Sequence, residues 1–366
     1  IANGMATGTT VVGPSGPLTL GGGILNTGAD LTLSSVVLVH NQAGTSGGAS
    51  AAGGGIANVF NATLTVKGSR FEGNKALAGT GQSYGGAIFN DAGSALTVQG
   101  CTFTGNQATG GLTHVGSRGG AIANAGHSQA SVMDSAFRNN LAQGGNGADA
   151  GVGGGGAILN LTYGVLDASS VGATLTVRDS SFTANQAVGG MGGPKGQGQG
   201  GAINTIGEGA LTVVTSSEFS GNVAKGGMGC SADGGAMNAL SAAMTISDSS
   251  FSGNQAIAAA TAPGQPSNKQ AKIAKSFSTF LLTIGRLFLI PPVLWLVDVH
   301  QPLESFFAMI LFIIASGLDV VDGWLARSRG LVTFFGKFVD PLADKMMVMA
   351  LLVYLAAEGR VPPWLV

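Results

Sequence analysis

Cysteine is scarce in this chain. Only Cys101 and Cys230 occur, far apart and without a C-x-x-C companion, which excludes a disulfide framework or a thiolate metal site and predicts two unpaired small residues in or near a core. Net charge is scarce too, with 17 Lys and Arg against 18 Asp and Glu. No basic cluster is interleaved with aromatics, which argues against nucleic acid as a partner. An initiator Met and a signal-peptide n-region are also lacking. Ile1 stands in mid-pattern and Val366 in an apolar stretch, so the expectation is a chain truncated at both ends. Glycine, by contrast, is abundant at 63 residues, nearly all before residue 260, while most long apolar runs come after it. Whole-chain averages therefore describe neither half.

The first 258 residues repeat. The unit G-G-A-I-x-N recurs at Gly85 to Asn90, Gly119 to Asn124 and Gly155 to Asn160, with variants at Gly21 to Asn26, Gly53 to Asn58, Gly201 to Asn204 and Gly234 to Asn238. A Leu-Thr-Val-like triplet follows at Leu31, Leu64, Leu96, Leu175, Leu211 and Met244. Then comes F-x-x-N, six times, from Phe71 and Asn74 to Phe251 and Asn254. Phe-to-Phe spacings of 32, 34, 45, 37 and 32 mark a fixed three-part core with an elastic insertion after F-x-x-N.

Each part alternates like a strand and is too short for a helix. A unit that cannot bury its own apolar face must stack on its neighbours. The expected fold is a right-handed parallel β-helix of about seven or eight coils, roughly 35 Å long at a strand spacing near 4.8 Å. Ile88, Ile122, Ile158, Ile203 and Met237 should form one internal row and the six Phe another, with Asn ladders at the turns. Gly pairs should supply the positive φ that tight corners need.

Little in this half suggests catalysis. The acids Glu72, Asp91, Asp134, Asp149, Asp167, Asp179, Glu208, Glu218, Asp233 and Asp248 are scattered in sequence. The stretch Gly144 to Asp149 mimics a calcium-binding nonapeptide once only, and Gly192 to Gly201 lacks the Lys-Ser/Thr ending of a P-loop, so both are expected to be loops. His40, His114 and His127 come singly, as turn or surface residues do. The paired G-G-A-[ILV] and F-x-x-N signatures resemble the repeats of polymorphic outer membrane proteins and related autotransporter-type bacterial surface proteins. That resemblance implies a β-helix of a type usually exported, serving as stalk, passenger or scaffold.

Residues 259–275 form a linker by composition. Three apolar segments follow, at residues 277–297, 306–321 and 338–357, and the first, of about 21 residues, reaches about 30 Å as a helix, enough to cross a bilayer. The full expectation is a mixed multidomain chain: β-helix over 1–258, linker over 259–275, and about three transmembrane helices in a membrane domain over 276–366. Lys269, Lys272, Lys275 and Arg286 flank or begin the first span, and Arg327, Arg329 and Lys337 lie between the second and third. The positive-inside rule places both regions in the cytoplasm.

Between the last two spans stand four carboxylates. Asp319 and Asp322 are three apart, Asp340 and Asp344 four apart, so on helices each pair shares a face. Two such faces turned together make an oxygen-rich pocket suited to a divalent metal and to phosphate chemistry. Ionised groups at membrane depth are costly and point to function.

The pattern Asp319-x-x-Asp322-Gly323-x-x-Ala326-Arg327, eight residues, Gly336-x-x-x-Asp340-x-x-x-Asp344 resembles the signature of the CDP-alcohol phosphatidyltransferases at every defined position. The flanks Leu281 to Pro291 and Phe335 to Lys345 look like the phosphatidylglycerophosphate synthase branch. The resemblance covers residues 276–366, the N-terminal half of such an enzyme. It implies Asp319, Asp322 and Asp340 as ligands of Mg²⁺ or Mn²⁺, with Asp344 sharing the metal site or acting as catalytic base. Gly323, Ala326, Arg327, Gly336 and Lys345 would contact the substrates, CDP-diacylglycerol and glycerol 3-phosphate, at the cytoplasmic face of a bacterial inner membrane. A homodimer through the membrane domain is implied as well.

The two halves conflict. A surface-type β-helix belongs outside the cell, whereas the charge pattern leaves residue 275 in the cytoplasm. The expectation is an unnatural junction near residues 258–275 and an enzyme part that is incomplete and inactive as it stands. The other readings are a structural surface protein and a genuine fusion in which the β-helix anchors or assembles the enzyme. Sequencing the genomic locus across the codons for residues 250–280 should reveal two reading frames, and one continuous frame would overturn the junction.

Overall fold

A computed structural model describes residues 1–7, 11–13, 16–44, 49–111, 116–166 and 171–259, together with residues 356 and 362. The chain divides into two compact units, Ile1–Gln265 and Pro266–Val366. The three segments expected to span a membrane lie outside the described residues. Among the described residues no helix is long and apolar enough to cross a membrane.

The first unit is a parallel β-solenoid of about seven turns. One coil runs through five strands, Ile88–Asp91, Ala95–Gln99, Thr102–Thr104, Gln107–Thr109 and Ser117–Arg118. Each strand pairs in parallel with its counterpart one coil on, for example Ile88 with Ile122 and Phe103 with Phe137. Five sheets of seven or eight strands result. The three expected strands are all present, and two more join them. The three residues after each F-x-x-N pair as a fourth strand, and a short stretch of two to five residues before each Gly pair forms a fifth. Two residues carry no visible alternation, so the fifth strand had no sequence signal of its own.

The rows fall as the repeat dictates. Ile88, Ile122, Ile158 and Ile203 are fully buried in one column that continues to the half-buried Met237. The phenylalanines stack with ring centroids 4.6 to 4.9 Å apart and planes within 7°. That spacing is the strand spacing itself, so the backbone ladder imposes the geometry on the rings. Leu38 holds the Phe place in the first coil.

Two Asn columns close the turns. One runs through Asn26, Asn58, Asn90, Asn124 and Asn160, each Nδ2 donating to the next Oδ1 at 2.7 to 2.9 Å. The other runs from Asn41 through Asn74, Asn106, Asn140, Asn185 and Asn222 to Asn254 at 2.9 to 3.0 Å. In this second column the backbone N–H of each Asn also donates to the next Oδ1, and its Nδ2 donates to the carbonyl of a Phe one coil back, as Asn140 does to Phe103. A buried side-chain amide is thereby satisfied on both atoms while holding three coils together.

The Gly pair divides its labour. Gly85 has φ +57°, a conformation that L side chains rarely adopt, whereas Gly86 sits where a Cβ would run into the Gly120 carbonyl of the next coil. The insertions were expected to be loops, and most of their length is. They nevertheless stack on one another: Gly190 N–H donates to Gly151 O at 2.8 Å, Gly227 N–H to Gly196 O at 2.7 Å, and Met191 N–H to Asn146 Oδ1 at 2.8 Å. Gly198–Gln199, inside the expected loop Gly192 to Gly201, is a short strand.

Two assignments shift by one residue in the sixth coil. Leu175 pairs with Thr212, not with Leu211, which is exposed, so the inward pair there is Thr212 and Val214. A one-residue slip exchanges the two faces of a strand. Asn204 likewise falls beside Leu159, and Thr205 takes the ladder place opposite Asn160. The swaps compensate chemically: Asn160 donates to Thr212 Oγ1 at 3.2 Å, and the Thr205 and Thr212 hydroxyls bond at 2.7 Å. Asn204 pairs instead with Asn238 on the outer row.

A second apolar cluster covers the outer face of the Ile strands. Phe89, Ala123 and Leu159 point into it and are covered by Tyr84, Leu161, Val165 and Leu166. This makes the middle strands of the Ile sheet buried on both faces.

Position along the Asn ladder should set its energetic weight. Asn140→Ala leaves several buried groups on adjacent coils without partners, at about 1–3 kcal/mol each. Asn254→Ala, in the partly exposed last rung, should cost clearly less, and thermal denaturation of the two variants checks the order.

Candidate functional site

All the residues expected to form the acidic site lie outside the described residues: Asp319, Asp322, Gly323, Ala326, Arg327, Gly336, Asp340, Asp344 and Lys345. Their chemistry rests on sequence and on relatives.

The acids of the solenoid are less scattered than their numbering suggests. Asp134, Asp179 and Asp248 occupy one corner of three coils, all with φ near 50°, with Ser216 in the equivalent place between. With Glu218 and the adjoining serines they line a shallow groove of about 770 Å³. The signal was present as Asp or Ser three residues before each of the last four Phe, hidden by the uneven coil lengths. No basic residue lines the groove, and Asp179 is paired with Arg178 at 3.2 Å. Among the described residues no group of three or more His, Cys, Asp or Glu could hold a metal. The groove thus offers carboxylates and hydroxyls without a basic side chain.

The groove serines have a structural task. Ser135, Ser180, Ser217 and Ser249 form a third ladder in which each hydroxyl accepts the backbone N–H of the coil before it. Cys101 is a rung of this ladder. Its Sγ takes the Ser69 N–H at 3.4 Å, and its own N–H goes to Ser135 Oγ at 3.1 Å. Both cysteines are buried and free, as their isolation implied. Burial pushes the Cys101 thiol above its ordinary value, against the opposing pull of backbone hydrogen bonds at Ser69 and Gln99, and burial also raises Cys230.

Asp91 is the one fully buried acid of the solenoid's described residues. Its Oδ2 accepts the N–H groups of Val165 and Leu166 at 2.9 and 2.8 Å, fastening an insertion over the second apolar cluster. Tyr84 lies in the same cluster, its hydroxyl bonded to Gln82 Oε1 at 2.6 Å. Burial raises its pKa, Arg118 opposes the rise and Asp91 adds to it. Neither residue was singled out by the repeat, since each occurs once.

His40 and His127 are exposed, as expected of turn or surface residues, and His40 has φ +53°. His114 and Asp167 lie outside the described residues.

The family model of the CDP-alcohol phosphatidyltransferases matches residues 279–366. The C-terminal region is a CDP-alcohol phosphatidyltransferase domain segment. A CDP-diacylglycerol–glycerol-3-phosphate 3-phosphatidyltransferase of Bacillus subtilis is 43% identical over 97 residues, covering 23% of this chain and 50% of the relative. The protein of the same name from Rickettsia bellii is 39% identical over 80 residues, 22% of this chain and 44% of the relative. A cardiolipin synthase (CMP-forming) of Oryza sativa subsp. japonica is 37% identical over 91 residues, 23% of this chain and 28% of the relative. The chain thus spans about half the length of the first two. No solved structure matches.

The raised thiols give a signed expectation. A neutral thiol is favoured in the folded state, so the solenoid keeps full stability below the ordinary thiol pKa and loses some as pH rises through the folded value. Native protein should resist a thiol-reactive disulfide reagent near pH 8 and yield two thiols on unfolding. Cys101→Ser should keep the ladder and flatten part of the alkaline loss.

Proposed function

We infer that residues 276–366 serve phospholipid synthesis by transferring a phosphatidyl group from CDP-diacylglycerol to an alcohol, with glycerol 3-phosphate as acceptor and CMP as leaving group. The observation that carries this reading is the complete acidic motif, Asp319 to Asp344, inside the segment matched by the family. The acceptor is the finer part. The relatives include both glycerol-3-phosphate transferases and a CMP-forming cardiolipin synthase, so the shared stretch supports CMP release more strongly than any one alcohol.

Four carboxylates with no His or Cys among them form a hard donor set, which fits Mg²⁺ or Mn²⁺. Such an ion would neutralise charge on the pyrophosphate. Asp319, Asp322 and Asp340 would hold it, and Asp344 would either complete that set or take the proton of the acceptor hydroxyl. The alcohol oxygen then bonds to the β-phosphorus as the bond to CMP breaks. Gly323 and Ala326 leave room for the nucleotide against the helix, Gly336 opens the second half of the motif, Arg327 pairs with a phosphate, and Lys345 helps hold the anionic acceptor. The three apolar segments at 277–297, 306–321 and 338–357, with the basic residues that flank them, support a site at the cytoplasmic face of a bacterial inner membrane, and a homodimer through them fits the family resemblance. In the second reading the chain is a surface-type structural β-helix with residues 276–366 incidental, which the length and regularity of the solenoid favour.

Given one continuous reading frame across residues 250–280, membranes containing the full-length gene product should release CMP from CDP-diacylglycerol when glycerol 3-phosphate is present. A chelator should stop turnover and Mg²⁺ or Mn²⁺ restore it. Asp344→Asn should lower the rate by about 10²–10⁴ if it acts as base. Unchanged turnover in that variant would sink the role of Asp344, and absence of CMP release under every condition would favour the structural reading.

A further inference from the structure

The inner Phe, Ile and Asn columns largely keep one residue type from coil to coil. The outward column of the fifth strand does not. It reads Ala52, Tyr84, Arg118, Gly154, Gln199 and Asp233, whereas the residues just before these, Ala51, Ser83, Ser117, Gly153, Gly198 and Ala232, are all small. A face that stacking leaves free to vary is one that a solenoid can use for binding. Arg118 is the cation of that column. It is half-buried, its Nε is buried without a hydrogen-bond partner, and no ion pair joins it to a carboxylate among the described residues.

Other arginines of the solenoid behave differently. Arg70 and Arg178 lie in the open and still hold Glu72 at 3.1 Å and Asp179 at 3.2 Å. Asp91 is close enough for its charge and that of Arg118 both to act on Tyr84, yet its Oδ2 is turned to the N–H groups of Val165 and Leu166. The floor around Arg118 is bare. On the same face Gly116 comes two residues earlier, where a Cβ would lie 3.4 Å from Nε and 3.1 Å from Val152 O. Gly154 is the neighbour on the next coil, and a Cβ there would lie 2.8 Å from Asn204 Nδ2. Two side-chain pairs bound this floor, Tyr84 with Gln82 at 2.6 Å on one side and Gln199 with Gln197 at 3.1 Å on the other.

We propose that Arg118 anchors a binding site for an oxyanion group, carboxylate or phosphate, on this outer face of the solenoid. The exposed end of the guanidinium receives the anion, and turning the side chain outward lets Nε join Nη in a side-on, bidentate pair. That pairing supplies an acceptor for the orphaned donor and a counter-charge for the cation, both of which are destabilising when left unmatched. The half-buried amides of Gln82 and Gln197 suit the hydroxyls of a carrier, so the oxyanion is either a free ion or a carboxylate borne on a sugar ring. The acidic enzyme motif plays no part in this site.

The test titrates the full chain in non-ionic detergent by calorimetry, with inorganic phosphate and with glucuronate at constant ionic strength and chloride as the control. One saturable site per chain is expected for at least one of the two anions. A tighter glucuronate identifies the sugar-borne source, and a tighter phosphate identifies a free ion. Arg118→Gln should weaken binding by about 10- to 100-fold, the worth of a charge-assisted hydrogen bond. Arg118→Lys keeps the charge without the fork and should weaken it less, while Arg138→Gln, at an exposed arginine, should leave it unchanged. Neither Arg118 variant should lower the thermal midpoint of the strand signal in circular dichroism, because no hydrogen bond to Arg118 is lost. No saturable binding of either anion, equal binding by Arg118→Gln, an equal loss in Arg138→Gln, or a lowered midpoint in both Arg118 variants would overturn the proposal.

Discussion

The interaction on which the solenoid depends is the parallel backbone ladder between coils. It fixes one axial spacing, and every side-chain column has to accept it. Aromatic rings accept it as a near-parallel stack at 4.6 to 4.9 Å. Amides accept it as Asn chains, and hydroxyls as a serine ladder in which Cys101 serves as a rung. Residues that cannot be stacked on themselves, such as charged side chains, are confined to the outer rows. The low charge content of the first half follows from that confinement.

Much of this was legible because the repeat carries chemistry at fixed offsets. F-x-x-N locates a buried ring and a turn-closing amide together, so the Phe and Asn columns could be read from six copies. The first rung of the second Asn column was not read, because Leu38 stands where the motif has Phe. The sixth coil misled for a different reason. Leu211 heads an apolar triplet like the others, yet burial of Thr212 is favoured by its bonds to Asn160 and Thr205, and three hydrogen-bonding groups outweigh the better-looking apolar residue. Register there is decided by polar satisfaction, which a hydrophobicity pattern does not display.

The insertions show the same limit from the other side. Their composition of Gly, Ala, Gln and Ser reads as loop, and local conformation agrees. What composition does not reveal is that loops from successive coils lie backbone against backbone, so close that a Cβ at Gly227 would collide with the Gly190 carbonyl. Glycine is there for contact as much as for turning. Asp91 and Tyr84 were invisible for a related reason, since a residue that occurs once has no period to betray it.

The acidic motif was legible by another route. Its eight defined residues stand at the fixed offsets of a family signature, which is read without reference to the solenoid. The solenoid in turn is held by nearest-neighbour contacts between coils, so its stability is nearly a sum over junctions. A structure of that kind transmits little from one end to the other. Each half of the chain is consequently intelligible from its own residues, and no column, ladder or groove of the first half requires the carboxylates of the second.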